Sequence, residues 1–360
     1  MWTCLHSEPQ TRLTAAVEPV EGVDLQNVTK WFQDHVEGVK PPLEFNLIAG
    51  GRSNLTFRVD DSTGAAWVLR RPPLGSILPT AHDMAREFRV ISALGPTAVP
   101  VPPAIGLCED TEVNGQPFYV MGYVSGHILR DGPTAEHVLG EKERRVAGES
   151  LVDVLAELHA VDIDAVGLGD FGRREGYIER QLKRWHTQFE KSKSREISAV
   201  DEVHEELLRT VPEQGPATIV HGDYRLDNTM LGDDGQVRAV LDWEICTLGD
   251  PLADVGLLMV YWADPGDELS ALLSAPTLLE GFPRRAEIAA RYAERSGRDL
   301  SRLDYYVAFG YWKLACILEG VYARYKAGHA GGDRGAFDAF GDHVVLLAET
   351  ARNAVAAQST

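Results

Sequence analysis

The stretch His221-Gly222-Asp223-Tyr224-Arg225-Leu226-Asp227-Asn228, followed by Leu241-Asp242-Trp243-Glu244, decides how this 360-residue chain is read. Ala217-Thr218-Ile219-Val220, short and mostly apolar, leads into it. Val237-Arg238-Ala239-Val240-Leu241 alternates as a strand does and delivers Asp242 at its end. Gly232-Asp233-Asp234-Gly235 between them is a turn signal. The expectation is that the two carboxylates sit at neighbouring ends of one hairpin. A carboxylate at 223 can accept or orient the proton of an attacking hydroxyl, whereas Asn228 and Asp242 offer the hard oxygens that a divalent cation such as Mg²⁺ prefers. His221 reads as a packed, hydrogen-bonded loop histidine rather than a base.

An Asp with an Asn five residues later, then a second Asp after an apolar run, is the spacing of the protein-kinase motifs H-R-D-x-x-x-x-N and D-F-G. Here Gly222 stands in place of the Arg, and Asp242-Trp243-Glu244 in place of Asp-Phe-Gly. In this form the motif resembles the aminoglycoside phosphotransferase family, which shares the kinase fold and phosphorylates small molecules. The resemblance implies an α+β, two-lobed protein-kinase-like fold with a small antiparallel-sheet N-lobe and a larger, mostly helical C-lobe. It implies ATP as co-substrate, Mg²⁺ as cofactor, catalytic roles for Asp223, Asn228 and Asp242, and metal ligation by Asn228 and Asp242.

Upstream, residues 1–22 read as a loose arm, 23–122 as the nucleotide-binding lobe and 123–360 as the catalytic and substrate-binding lobe. Helical spacing covers Asp24 to Val36 and His82 to Leu94. Strand patterns cover Phe45–Ile48, Leu55–Val59, Ala66–Arg70 and Phe118–Val124. Gly50-Gly51-Arg52-Ser53-Asn54 lies between two strands, where glycines let backbone N–H groups approach phosphates. Gly50, Gly51, Ser53 and Asn54 are therefore expected at the ATP. Arg70 stands where kinases place a strand lysine, and Glu87 where its helix partner lies. Arg71 is the rival for that role, since alternation sends neighbours to opposite faces. Gly122 and Val124 fall where backbone groups would meet adenine.

The formal net charge of −19, from 35 basic and 54 acidic residues, argues against nucleic acid as partner. The four cysteines are scattered and form no CxxC pair. No signal peptide and no run of 18 apolar residues is present, so the expectation is a cytoplasmic enzyme with no membrane partner, acting on ATP and a small-molecule hydroxyl. Residues 171–195 reverse the overall sign, with eight basic residues against three acidic. Ile178, Leu182, Trp185 and Phe189 would pack inward there, and Arg180 and Arg184 share a face. That face is either an anion site or simply solvated. Arg225, inside the loop, either touches substrate or forms a structural ion pair.

The resemblance narrows on Val68-Leu69-Arg70-Arg71-Pro72-Pro73-Leu74-Gly75, Arg180-Gln181-Leu182-Lys183-Arg184-Trp185, Thr247-Leu248-Gly249-Asp250-Pro251-Leu252-Ala253-Asp254 and Lys313-Leu314-Ala315-Cys316-Ile317-Leu318-Glu319-Gly320. These are similar to the phosphotransferase domains fused to certain acyl-CoA dehydrogenases, and imply a hydroxyacyl-CoA or hydroxy acid as acceptor, the kinase standing here without the dehydrogenase. Two other readings remain: an aminoglycoside or macrolide antibiotic kinase, and a nucleotide-binding pseudokinase without turnover. Asp250 is expected to brace the catalytic loop.

Overall fold

The computed structural model describes residues 20–49, 54–74, 82–267, 269, 275–326 and 334–357. Two compact units emerge. Residues to 84 with 105–120 form the first, and 85–104 with 121 onward form the second.

In the first unit, α1 (Leu25–His35) starts at Asp24, whose carboxylate accepts from the Asn27 N–H and satisfies a donor of the first turn. Its stripe of Val28, Trp31 and Phe32 is buried. β1 (Glu44–Ala49), β2 (Leu55–Asp60) and β3 (Ala66–Arg71) form an antiparallel meander. α2 (Met84–Leu94), which from residue 85 belongs to the second unit, comes next in the chain, followed by β4 (Ala104–Cys108), α3 (Thr111–Asn114) and β5 (Phe118–Gly122). The sheet order is β1-β2-β3-β5-β4, as the expected small sheet-based lobe requires. β4 is the strand that the sequence reading did not anticipate. It is five residues long, carries Gly106, and follows directly on Pro102-Pro103, so it has almost no alternation to read. Phe32, Phe57, Val59, Leu69, Phe118 and Val120 close the core between α1 and the sheet.

The second unit is mostly helical. It holds α4 (Gly132–Val138), α5 (Glu141–Ala160), α6 (Tyr177–Ser192), α7 (Ser198–Arg209), α8 (Leu252–Tyr261), α9 (Arg285–Ser296), α10 (Leu303–Lys326) and α11 (Arg334–Ala357). The stripe on α6 is buried as its spacing predicts. α8 is buried all round from Ala253 to Val260, the mark of a central helix. It packs closely on α10: a Cβ on Gly256 would lie 2.4 Å from the backbone carbonyl of Tyr306, so only glycine fits. Among the described residues no helix is long and apolar enough to cross a membrane.

Four short strands set the loop geometry, and here the expected hairpin needs correcting. β6 (Thr218–Val220) pairs with β9 (Thr247–Gly249). The turn at 232–235 instead joins β7 (Thr229–Leu231) to β8 (Val237–Val240). β7 is three residues long and follows a 3-10 turn at Leu226–Asn228, too short for a visible period. Asn228 and Asp242 thus flank the open end of this hairpin, and the Leu241 N–H donates to the Asn228 carbonyl at 2.8 Å. Asp223 arrives separately, from the end of β6.

Candidate active site

The loop that carries Asp223 is held from below by a buried carboxylate. Asp254, on the first turn of α8, accepts from the backbone N–H of His221 at 2.7 Å and of Gly222 at 2.8 Å. His159 on α5 lies 3.3 Å from the same carboxylate, and its other ring nitrogen is 2.7 Å from the Tyr292 hydroxyl. Burial opposes the charge on Asp254, yet the His159 hydrogen bond, His221 and the Gly222 N–H hold it below the usual carboxylate range. Burial keeps His159 lower than an ordinary histidine. The bracing role expected of Asp250 therefore belongs to Asp254. Asp250 accepts from the Tyr306 hydroxyl at 2.6 Å and from the Leu252 N–H at 3.0 Å, which ties α10 to the start of α8.

The backbone of the loop explains Gly222. Its φ is +88°, and a Cβ would meet Ile245 at 3.0 Å. An arginine of the kinase type is therefore strained at this position. His221 is fully buried. Its Nδ1 accepts from the Asp223 N–H at 3.2 Å, so Nε2 carries the proton and donates to the Leu241 carbonyl at 2.8 Å. That is the packed loop histidine of the sequence reading. Tyr224, also buried, donates to the Leu151 carbonyl at 2.8 Å and is structural.

Asp223 keeps 30% of its side-chain surface exposed. The Asn228 side-chain amide donates to its carboxylate at 2.9 Å and to its backbone carbonyl at 2.8 Å. This fixes both side chains and turns the Asn228 amide oxygen the other way. Asp242 has φ +63°, one of only two non-glycine residues in the left-handed region among the described residues. Such a backbone costs free energy and is typical of functional positions. Two oxygen donors at one end of a hairpin suit Mg²⁺ in charge and hardness, so the donor set fits the implied ion.

Beside Asp223 opens a cavity of about 440 Å³ within the second unit. Leu257, Leu314, Ile317 and Leu318 give it an apolar wall, and Asp223, Glu244, Arg225 and Lys313 are its charged lining residues. Arg225 lies 3.5 Å from Asp223 and 3.2 Å from Asp227, with its guanidinium 4.6 Å from the Tyr261 ring. It is both a structural ion pair and a lining residue. Burial raises the Asp227 carboxyl, which Arg225 partly offsets. Lys313, on α10, went unassigned in the sequence: it is 5% exposed and donates to the Gly222 carbonyl at 2.7 Å. A buried lysine inside an apolar helix stretch was the one available signal.

The basic run is largely consumed by structure. Arg174 pairs with Asp164, and Lys193 with Glu190 and Glu196 at 2.8 Å each. Arg180 donates to the carbonyls of Glu175 and Arg173, tying the loop before α6, and is not a cavity residue. Arg184 is exposed, 5.0 Å over the ring of Trp185, which does line the cavity.

In the first unit, Arg70 projects beside Thr56, with Nη1 3.5 Å from its hydroxyl. The rival Arg71 is buried and donates to the carbonyls of Gly22, Pro72 and Asn114. Asn54 is buried at the start of β2. Gly50, Gly51 and Ser53 lie outside the described residues. In the second unit, Glu87, on α2, is 1% exposed. Gly122 ends β5, its N–H donating to the Pro103 carbonyl at 2.8 Å, and Val124 follows half-buried.

Residues 44–306 match the profile of the Phosphotransferase enzyme family. Acyl-CoA dehydrogenase family member 11 of Rattus norvegicus is 35% identical over 329 residues, covering 89% of this chain but 42% of that protein. The chain thus spans less than half the length of this relative. A Ralstonia eutropha crystal structure, provisionally assigned as an aminoglycoside phosphotransferase, superposes with a TM-score of 0.77 at 34% identity, covering 92% of this chain and 98% of that one. A thermostable mutant of aminoglycoside phosphotransferase APH(4)-Ia, in ternary complex with AMP-PNP and hygromycin B, has a TM-score of 0.60 at 18% identity over 91% of this chain and 98% of that one, a likeness of fold.

Proposed function

The chain belongs to the Phosphotransferase enzyme family, whose members act as small-molecule kinases on hydroxyl groups, and from that premise we propose that it transfers the γ-phosphoryl group of ATP to the hydroxyl of a hydroxyacyl compound, a hydroxyacyl-CoA or a hydroxy acid. The observation that carries this is the composition of the cavity beside Asp223: a long apolar wall of Leu257, Leu314, Ile317 and Leu318, with Arg225 and Lys313 beside Asp223 and Glu244. An alkyl chain gains from the wall, at about 25 cal/mol per Å² of apolar surface buried. A polycationic aminoglycoside gains little from that wall, and meets Lys313 and Arg225 as well as Asp223 and Glu244. The acyl-CoA dehydrogenase relatives support the same reading.

Each residue then has a defined task. Asp223, held by Asn228, orients the acceptor hydroxyl and takes its proton as the new O–P bond forms. Asn228 and Asp242 would hold Mg²⁺ through their oxygens, and the bound ion supplies charge stabilisation at the phosphate oxygens. Arg70, freed from competition by the engagement of Arg71, would contact the nucleotide phosphates, and Glu87 would support it. Asn54, with Gly50, Gly51 and Ser53, would supply the phosphate loop. At the adenine, the Gly122 N–H is already committed, so its carbonyl and the Val124 backbone remain for the base.

ADP release tests the reading: Mg-ATP against 3-, 4- and 5-hydroxyacyl-CoAs, free hydroxy acids and aminoglycosides. Turnover confined to hydroxyacyl compounds is expected; turnover with aminoglycosides alone overturns it. Arg70→Ala is expected to raise the ATP KM and lower kcat, with kcat/KM for ATP down roughly tenfold or more, the weight of a charge-assisted contact. An unchanged ATP dependence removes Arg70 from the site. Arg184→Ala is expected to raise the KM for an acyl-CoA severalfold and leave that for ATP alone. Arg180→Ala should instead lower thermal stability, because its carbonyl partners lose their donor.

A further inference from the structure

Lys313 is a costly residue to place where it is. Its side chain is 95% withdrawn from solvent, on α10, and an ammonium in such a place is expensive unless it is paired. An ammonium has three donors. Among the described residues its hydrogen-bond acceptor is the Gly222 carbonyl at 2.7 Å, and its ammonium lies 5.6 Å from the centre of the Trp185 ring. No carboxylate among the described residues forms an ion pair with it, and burial lowers its pKa while Asp223 and Asp254 act the other way. The cavity beside Asp223 is bounded by Lys313, Gly222 and Trp185 together. The lysine therefore has donor capacity left over, at the edge of a space that holds an apolar wall and the catalytic carboxylate.

We propose that Lys313 is the specificity-determining residue of the acceptor site, its ammonium binding the acyl oxygen of the acceptor. That oxygen is anionic in a free hydroxy acid and a neutral carbonyl in a thioester; the ammonium donates to either. The inference rests on the phosphotransferase reading and narrows its substrate. Lys313 grips the carbonyl of the residue immediately before Asp223, so the oxygen it binds and the hydroxyl that Asp223 orients lie on the same short segment of substrate. The alkyl remainder lies along Leu257, Leu314, Ile317 and Leu318. At that point an ammonium group of the acceptor is disfavoured, because it would meet that of Lys313, whereas Asp223 and Glu244 line the same cavity elsewhere.

The test is a ligand-observed NMR titration of the whole chain with hexanoate and with hexan-1-ol, which share an alkyl chain and differ in the acyl oxygen. Wild type is expected to bind hexanoate at least tenfold more tightly than hexan-1-ol, and Lys313→Met to lose that difference while still binding the alcohol. A wild-type protein with no preference for the carboxylate overturns the proposal even if Lys313→Met does not fold. A folded Lys313→Met that keeps the preference overturns it too. The ADP-release panel separates this from the wider reading. Carboxylate preference without turnover of any acceptor keeps the Lys313 assignment and rejects the hydroxyacyl kinase. Hydroxyacyl turnover with an unchanged acceptor KM in Lys313→Met keeps the kinase and rejects Lys313. As a control for loop support, Lys313→Met should leave the ATP KM within about twofold.

Discussion

Replacing Asp223 by Asn lowers kcat by about three orders of magnitude, within the range for loss of a positioned general base, and leaves the fold and the ATP KM nearly unchanged. The geometry is what separates these effects. Asp223 is partly exposed toward the cavity, so its replacement buries no new polar group. An amide at 223 still offers an oxygen to the Asn228 side chain, which now sits 2.9 Å from the carboxylate, so the loop keeps its shape. What is lost is the negative charge and the lone pair that the proposed mechanism uses to orient the acceptor hydroxyl. Steady-state kinetics with the best acceptor of the panel, beside a thermal melt, reads both sides. A variant that melts like wild type and retains more than a tenth of kcat would remove Asp223 from the chemistry and leave the loop a structural element.

Asp254→Ala is expected to cost more stability than any surface change and to silence the enzyme without touching a reacting atom. The substitution leaves two backbone N–H groups, those of His221 and Gly222, and the His159 ring without their acceptor in a place 1% exposed. Removing one partner of such a buried charged network costs roughly 3–5 kcal/mol. At about 2–4 °C per kcal/mol, the melting temperature should fall by roughly 10 °C. The loop should lose its register at the same time, so kcat drops on the order of a hundredfold at temperatures where the variant is still folded. A positioning role is distinguished from mere support by Asp254→Asn, which keeps one acceptor oxygen and should recover part of kcat. Equal melting temperatures for wild type and Asp254→Ala would contradict the bracing assignment. Because burial depresses His159 and its network depresses Asp254, both groups favour the folded state above their unfolded values, and stability is lost as pH falls below about 6.5 and then through the carboxylate range.

The local chemistry was legible in the sequence because it is compressed. Asp223 and Asn228 are five residues apart, and the side chain of one binds the carboxylate of the other. Asp242 follows a strand whose alternation can be read directly. The buried stripe of α6, the antiparallel strands of the first unit and the helical weight of the second are all consequences of periodic burial, which a sequence displays. Gly222 could be noticed as a departure, but its reason, a positive φ against Ile245, belongs to the folded loop.

What the tertiary structure alone decided are the contacts between distant polar groups. Asp254 reaches Gly222 across 32 positions, and Lys313 reaches it across 91. Periodicity says that a face is buried; it does not say which buried backbone N–H or carbonyl a polar side chain will find there. For the same reason the sequence favoured Asp250 as the brace, when packing of α10 gives Asp250 to Tyr306 and turns Asp254 toward the loop. The basic run on and before α6 read as either an anion site or a solvated face, and the fold gives Arg174, Arg180 and Lys193 neighbours of their own. The sequence carries the reaction type, in residues that are close along the chain. The cavity beside Asp223 is built from α6, α8, α10, α11 and the loop, and only packing brings those elements together.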